Sequence, residues 1–567
     1  MKPQLTTHNS QLTTHNSQLT LIALFTMLLF SSLAWGQTII DNTYFAANLQ
    51  TYIWDIAGSP YEITEDIEIP FGSNLIIEPG VEVMFQGHYY MDVKGSINAI
   101  GNSTDRITIT SVAEPWNGIR FDFSDGTQPT QSKLHYCDIS NAQKYGTTCT
   151  SPDPESSGGA IYVRSFSDLE IINCNIFENN VLAQGGAIVL YENSNPKIEK
   201  CSIYDNYAHK KGGGIGIING CNPIIKGNNF YSNESDKAGG AIFIGYFQNT
   251  PCVPNISGNT IYDNHTNGIY DPTSGTINHG AGGAISICGS YPIMKNNTFE
   301  GNEAYSHGGA IHCKSTPVFS IEDCSFINNY ASKNGGGVYL KNSDVSINSW
   351  FNGNNAINGG AVYVDNSTAD ITYSGFIYNT ASTDGGAIYT LTSVSNIENC
   401  TFENNTATGN GGGVFMKDPN EGINTPLSYI NLSRFKSNTA YQGSALYLNR
   451  TSNYTTNSTK VLNNLFIENH ATDRGVVYMQ GNNNNTIFNH NTVTNNTAAT
   501  WISGVCIDYN NNIPNELKNN IIYESVVDIV IVSGQYASQH PSTYSTLAGL
   551  NYLNYNNQLF FQNFYNL

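Results

Sequence analysis

The chain has 567 residues, only 12% of them charged, and 44 acidic against 24 basic residues leave a formal net charge of −20. A sparse acidic surface lacks the basic footprint that nucleic acid requires and disfavours electrostatic docking on anionic lipid, so neither partner class is expected. Carbohydrate and protein partners stay open, and 53 Gly, 35 Tyr and 25 Phe mark a turn-rich, strand-rich chain and not a helical one.

The first element in chain order reads as an export signal over residues 1–36. An apolar run of 13 residues, "LIALFTMLLFSSL" (21–33), is followed by Ala34-Trp35-Gly36, small residues at the two positions that a signal peptidase reads. The run is too short for an ordinary membrane-spanning helix, and a retained membrane anchor is the alternative reading. The tandem heptapeptide "QLTTHNS" before it carries no functional reading, and no later segment is apolar enough to span a membrane.

Residues 37–140 form the second region. "YEITEDIEIP", "SNLIIEPGVEVMF" and "DRITIT" alternate or run apolar, as short strands do. They predict three or four opening turns of a coil, with 38–54 supplying a cap.

The third region, 141–535, is a repeat. "GGAI" recurs at Gly158, Gly185, Gly239, Gly282, Gly308 and Gly385, "GGAV" at Gly359, and "GGGI" or "GGGV" at Gly212, Gly335 and Gly411. Degenerate copies follow at Gly443, Arg474 and Ser503, and most intervals lie between 24 and 32 residues. A second motif keeps step with the first. An apolar residue stands three before an asparagine in twelve copies, from Ile176/Asn179 through Phe326/Asn329 and Phe402/Asn405 to Val493/Asn496. Within one unit, "AIYV", "LEII" and "CNIF" are short strand-like runs separated by Gly, Asn or Ser.

Three such strands per period, each stacked on its equivalent about 4.8 Å away, predict an all-β parallel β-helix. Three sheets would surround a narrow core, in a rod of 16–18 turns about 80 Å long. The glycine pair marks a corner where φ is positive or no side chain fits. The asparagine marks a second corner, where its tolerance of the left-handed region and its stacking amide both serve. The Phe or Ile points inward. Leucine-rich repeats are excluded because L-x-x-L-x-L is absent, and propellers because each blade needs roughly 40–50 residues.

Eleven cysteines leave at least one unpaired. Cys137, Cys174, Cys201, Cys324 and Cys400 stand two before the Phe/Ile position, on the same inward face, and read as core thiols. Cys149, Cys221 and Cys252 fall outside that ladder, and a bridge between Cys221 and Cys252 is a candidate. No CxxC pair supports zinc. Residues 519–534 are expected to form the last turns, and 536–567, rich in Asn and aromatics, to close the open end.

The pairing of "GGA[IV]" with "FxxN" over 137–506 resembles the repeats of polymorphic outer membrane proteins, and more broadly the right-handed parallel β-helix, or pectate-lyase-like, superfamily. The stretch 59–85 is similar to the opening of many bacterial surface β-helix proteins. The resemblance implies an exported protein, secreted or at the outer membrane surface. Those relatives end in a long C-terminal β-barrel, whereas 61 residues follow Cys506, too few for eight membrane strands. Export by a different route, or a longer parent chain, is therefore expected.

Function divides between a scaffold and an enzyme. A hydrolase needs two carboxylates facing one bond, and a lyase needs a base with calcium-binding acids. Glu178, Asp205 and Asp263 share one repeat position and Glu199, Glu322 and Glu398 another, and each reads as a solvated outward residue. Arg434-Phe435-Lys436 looks like a polygalacturonase element without its paired aspartates, and His209, His307 and His312 have no evident partner. The expectation is a non-catalytic surface scaffold contacting carbohydrate or protein, with no assigned catalytic, metal or cofactor residue. Calcium belongs only to the lyase alternative. The insertion near 246–280 is the candidate binding loop, and the asparagine runs at 482–485 and 510–512 are loop signals.

Overall fold

The computed structural model describes residues 37–45, 50–127, 129–146, 153–246, 250–271, 276–278, 280–418, 428–450, 459–481, 486–499, 503–509, 516–523 and 529–533. The export segment, Cys149, both asparagine runs and the C-terminal closing segment lie outside them. Among the described residues the structure is all-β apart from one 3₁₀ turn, Ile56–Gly58.

The chain is a parallel solenoid of three sheets, as the repeat predicts, but a regular turn contains four strands. The turn after Gly158 shows the order. Ile161–Arg164 lies in a 17-stranded sheet that follows the glycine corner. Leu169–Ile172 and Asn175–Phe177 are two lanes of one 33-stranded sheet. Asn180–Val181 lies in a 13-stranded sheet of mostly two-residue strands. The runs "LEII" and "CNIF" therefore share a sheet, and the third sheet is built from the residues just after the asparagine. Two residues give too short a run for periodicity to reveal. Phe319–Ile327 and Asp344–Asn352 run through both lanes without a break and tie them together.

The asparagine corner explains the period. Asn179, Asn206, Asn233, Asn264, Asn302, Asn329, Asn354, Asn379, Asn405, Asn438, Asn469 and Asn496 are all buried. Each Nδ2 from Asn179 to Asn469 donates to the Oδ1 of the next asparagine at 2.9–3.0 Å. The second proton of Nδ2 goes to a carbonyl in the preceding turn, as from Asn405 to Phe376 at 2.9 Å. The Oδ1 also accepts the backbone N–H of the asparagine before it, as Asn405 does from Asn379 at 3.0 Å. Every amide is satisfied, so the column can be buried without penalty. The left-handed conformation falls one residue earlier, at Glu178, Asp205, Asn328, Tyr378 and Asn404 among others. Asparagine is selected here for its amide and not for its φ.

The glycine pair divides its labour. The first glycine holds φ between 59° and 71° from Gly158 to Gly443. The second has no room, because a Cβ on Gly159 or Gly186 would overlap the carbonyl oxygen of the equivalent glycine one turn on. Inside, Phe299, Phe326, Phe351, Phe376, Phe402, Phe435 and Phe466 stack face to face with centroids 4.5–4.9 Å apart. Isolated rings prefer offset or edge contacts; here the strand spacing imposes the stack.

Seven cysteines occupy two further corner columns, while Cys288, Cys313 and Cys506 lie in strands of the glycine sheet. Cys137, Cys174, Cys201, Cys324 and Cys400 are buried where lane one turns into lane two, at a position that other turns fill with Asn or Ser. Burial pushes the thiols of Cys324 and Cys400 up to about 11 and about 12, which makes them inert. Cys221 and Cys252 are free, which corrects the bridge expected between them. Both belong to a column after the glycine sheet, which also holds Ser194 and Ser290, and their Sγ atoms donate to the carbonyls of Ile218 and Gly245 at 3.1 and 3.5 Å. A serine at that position donates in the same way, as Ser194 does to Tyr191 at 2.6 Å.

The coil begins earlier than the sequence suggests. Thr38–Ile40 and Thr51–Trp54 already pair in parallel with Tyr61–Ile63 and Asn74–Ile77. Phe45, Tyr52, Trp54 and Tyr61 gather at this end of the core, with centroids 4.8 Å apart for Phe45–Tyr52 and Trp54–Tyr61.

Two substitutions test this packing. Phe402→Ala should cost about 3–5 kcal/mol as a buried cavity. Asn405→Ala should cost about 3 kcal/mol or more, because it strands the N–H and one Nδ2 proton of Asn379 and removes the Nδ2 bonds to the Phe376 carbonyl and to Asn438, whose Oδ1 keeps only the backbone N–H of residue 405. Both read out as a lower urea midpoint, and a change within about 0.5 kcal/mol would place either residue outside the core.

Candidate functional surface

Most side chains that recur are spent on the coil, so any site must be built from outward-facing residues. The glycine sheet offers little. Its second strand position faces out, yet Tyr339, Tyr363, Tyr389, Phe415, Tyr447 and Tyr478 stack there at 4.8–5.3 Å and are buried. Tyr339 and Tyr478 close the column by donating their hydroxyls to Asp365 and Asp508. Burial raises the hydroxyl of Tyr363 to about 12.

His307 and His312 sit at the start of this column, both half-buried against the Tyr339 ring, with centroids 4.4 and 5.4 Å away. His312 Nδ1 lies 3.3 Å from the Ser286 hydroxyl. Burial, seconded at His307 by Lys333 and at His312 by His307 itself, lowers them to about 4 and about 3. His209 is separate: its Nδ1 lies 3.2 Å from Asp236, which also accepts from the Tyr207 hydroxyl.

The carboxylates do not converge. Glu178, Asp205 and Asp263 stand exposed at left-handed corner positions, φ 51–55°. Glu199 and Glu322 face out from lane one against Lys197 and Lys295 at 3.3 and 3.4 Å, and Glu398 accepts from Asn431. Arg434 and Lys436 point outward to Glu403, both at 3.8 Å, while Phe435 between them is core. Among the described residues no three His, Cys, Asp or Glu side chains gather as a metal would require. Near 246–280 the coil continues through Asn255–Ser257 and Thr260–Tyr262, then carries an antiparallel pair, Ile269–Asp271 with Thr276–Asn278.

The outward side of lane two is different. Phe177, Tyr204, Tyr231 and Tyr262 stand on edge in a half-exposed stack, 4.7–5.0 Å apart. Further along, Trp350 lies across Gly375, where a Cβ would overlap its six-membered ring. Tyr373 and Tyr378 flank that glycine strand. The three rings are 47%, 71% and 61% exposed. Sequence reasoning passed over this group. The available signal was a tryptophan in a column otherwise mostly Ser, Thr or Asn, answered 25 residues later by that column's one glycine, in "YSGF".

The family models agree with the geometry. Residues 93–278 match a right handed beta helix region, and 298–314, 323–341, 376–391 and 399–417 match the Chlamydia polymorphic membrane protein repeat. The chain is thus a right-handed parallel β-helix, and its later repeats are similar to those of the polymorphic membrane proteins. No curated protein matches it. No helix among the described residues is long and apolar enough to cross a membrane.

The histidines generate a pH prediction. Both hold folded values below the ordinary one of about 6.5, so the unfolded chain binds more protons below that pH and stability falls as pH drops from about 6.5 towards 4. The groups facing them are Lys314, Lys333, Lys341 and Asp365. The melting temperature should fall less between pH 7 and pH 4.5 in a His307→Asn/His312→Asn variant than in the parent, and an equal fall would show that the rings titrate freely.

Proposed function

We propose that the protein is an exported, non-catalytic surface scaffold that contacts carbohydrate or protein along the outer face of its coil. The observation that carries this reading is the use of side chains. Corners and core absorb the recurrent Asn, Gly, Phe and Cys, and the outward acids are dispersed or paired. What faces solvent on lane two is a largely polar and aromatic surface with Ile327, Ile377, Leu465 and Ile467 half-exposed among it, suited to extended contact and not to chemistry at one point. The similarity to polymorphic membrane protein repeats supports a place at the cell surface, and the apolar segment at 21–33 supports export. No cofactor enters this reading. The lyase or hydrolase alternative is disfavoured because Glu199, Glu322 and Glu398 lie in scattered turns, and Glu178 and Asp205, one turn apart, are exposed corner residues.

Incubation of the purified chain with neutral and uronate oligosaccharides, with and without calcium, tests the proposal. Binding without new reducing ends or unsaturated products is expected. Calcium-dependent release of unsaturated products, lost on replacing acids of one face, would overturn it. On intact producing cells, external protease should remove the chain, and complete protection would contradict the surface location.

A further inference from the structure

We propose that the lane-two surface around Trp350 is a sugar-binding platform that takes one pyranose ring of a glycan on the open face of the indole. The inference deepens the scaffold reading and rests on it.

The geometry is local and specific. The lane-two aromatics Phe177, Tyr204, Tyr231 and Tyr262 stand on edge and spend their faces on each other, as Tyr204 and Tyr231 do at an interplanar angle of 3°. Trp350 instead turns one face to the backbone of Gly375 and the other to solvent. Gly375 is what permits this, because any side chain there would lift the ring. A glycine inside a strand weakens it, so covering it with an aromatic ring could serve stability alone. That would account for Trp350 and Gly375, but not for their neighbours.

Tyr373 and Tyr378 bracket the same three-residue strand, Gly375–Ile377, at the two corners. Both adopt left-handed backbone, φ 49° and 55°, a conformation that tyrosine enters only at a cost. At the second corner the other turns place Asn, Asp, Glu, Ser or Gly. Among the described residues, two of the most exposed rings thus stand in strained conformations on either side of an indole that lies flat. Neither burial nor the ladders require them.

The chemistry selects a sugar. A pyranose has an apolar C–H face of about the area of one aromatic ring and a rim of hydroxyls. The face gains dispersion and apolar burial on the indole. For the rim, the same column supplies Ser325 one turn before and Thr401 two turns after Trp350, and Arg434 paired with Glu403 follows. A flat aromatic with a few hydrogen-bonding groups around it is the usual composition of a small-ligand site. A protein hot spot would need an apolar surround that excludes water; here the half-exposed Ile327 and Ile377 of the next column are separated and followed by Asn352 and Glu403, so the surround is mixed and stays open to water.

Titration calorimetry of the full chain with soluble neutral hexose and uronate oligosaccharides, alongside tryptophan fluorescence, tests the platform. At least one oligosaccharide should bind and shift the emission. Tyr373→Asn/Tyr378→Asn, which places a residue tolerant of φ > 0 at both corners, should weaken binding by about tenfold or more with an unchanged or higher melting temperature. Trp350→Ala should abolish binding. A merely structural Trp350 would instead lower the melting temperature and leave affinity intact in the tyrosine variant, which overturns the platform. Absence of binding to every oligosaccharide overturns it too. Binding of equal strength in all variants would remove the platform but leave the scaffold reading standing, whereas cleavage of the bound sugar would remove the scaffold reading itself.

Discussion

A buried primary amide has four hydrogen-bonding positions and no water to fill them, and this constraint organises the molecule. Each interior asparagine of the column makes its full set of bonds only when an identical residue sits one turn above and another one turn below. Leaving one such group unpaired costs about 1–3 kcal/mol. A turn that slipped register would strand donors and acceptors in two neighbouring turns at once. The column therefore fixes the spacing of every other element, and a repeat length that drifts by a few residues must lose or gain them in the loops between corners.

The remaining ladders follow from that spacing. Turns held about 4.8 Å apart leave the second glycine of each pair no space for a Cβ, and they bring the core phenylalanines into face-to-face stacks that free rings would avoid. The same constraint reaches the corners where the lanes meet. Asn, Ser and Cys alternate there because each offers an acceptor to the backbone N–H of the turn before, as Asn228 does to Cys201 at 2.8 Å and Ser433 to Cys400 at 3.1 Å. A thiol in this position is a weak member of a hydrogen-bonded column and not half of a disulfide.

Much of this was legible in the sequence. The return of Gly-Gly and Phe-x-x-Asn in step announces a parallel solenoid, and the inward assignment of Phe326, Phe402 and the five ladder cysteines agrees with their burial. Three things were not legible. The strands after the asparagine, such as Tyr207–Ala208, are two residues long and carry no period of their own. The residue in left-handed conformation is the one before the asparagine, where Asn, Asp and Gly, which tolerate that region, share the position with Glu, Ser and Tyr and blur the signal. The Trp350 platform depends on which column a residue joins one turn later, and that register appears only when Trp350 is set beside Gly375.

Structure and surface thus divide the chain by direction. Inward and corner positions are constrained by their copies in adjacent turns, while outward positions of lane two vary from tyrosine stacks to ion pairs to the flat indole, free to serve contact. The most direct test of this account is a double-mutant cycle on Asn354 and Asn379, comparing each single alanine variant with the double by urea denaturation. If the amide column holds the turns in register, the two sites should couple by about 1–3 kcal/mol, the second substitution costing less once the first has broken the column. Additivity within about 0.3 kcal/mol would mean that the asparagines act singly, and the account would be wrong.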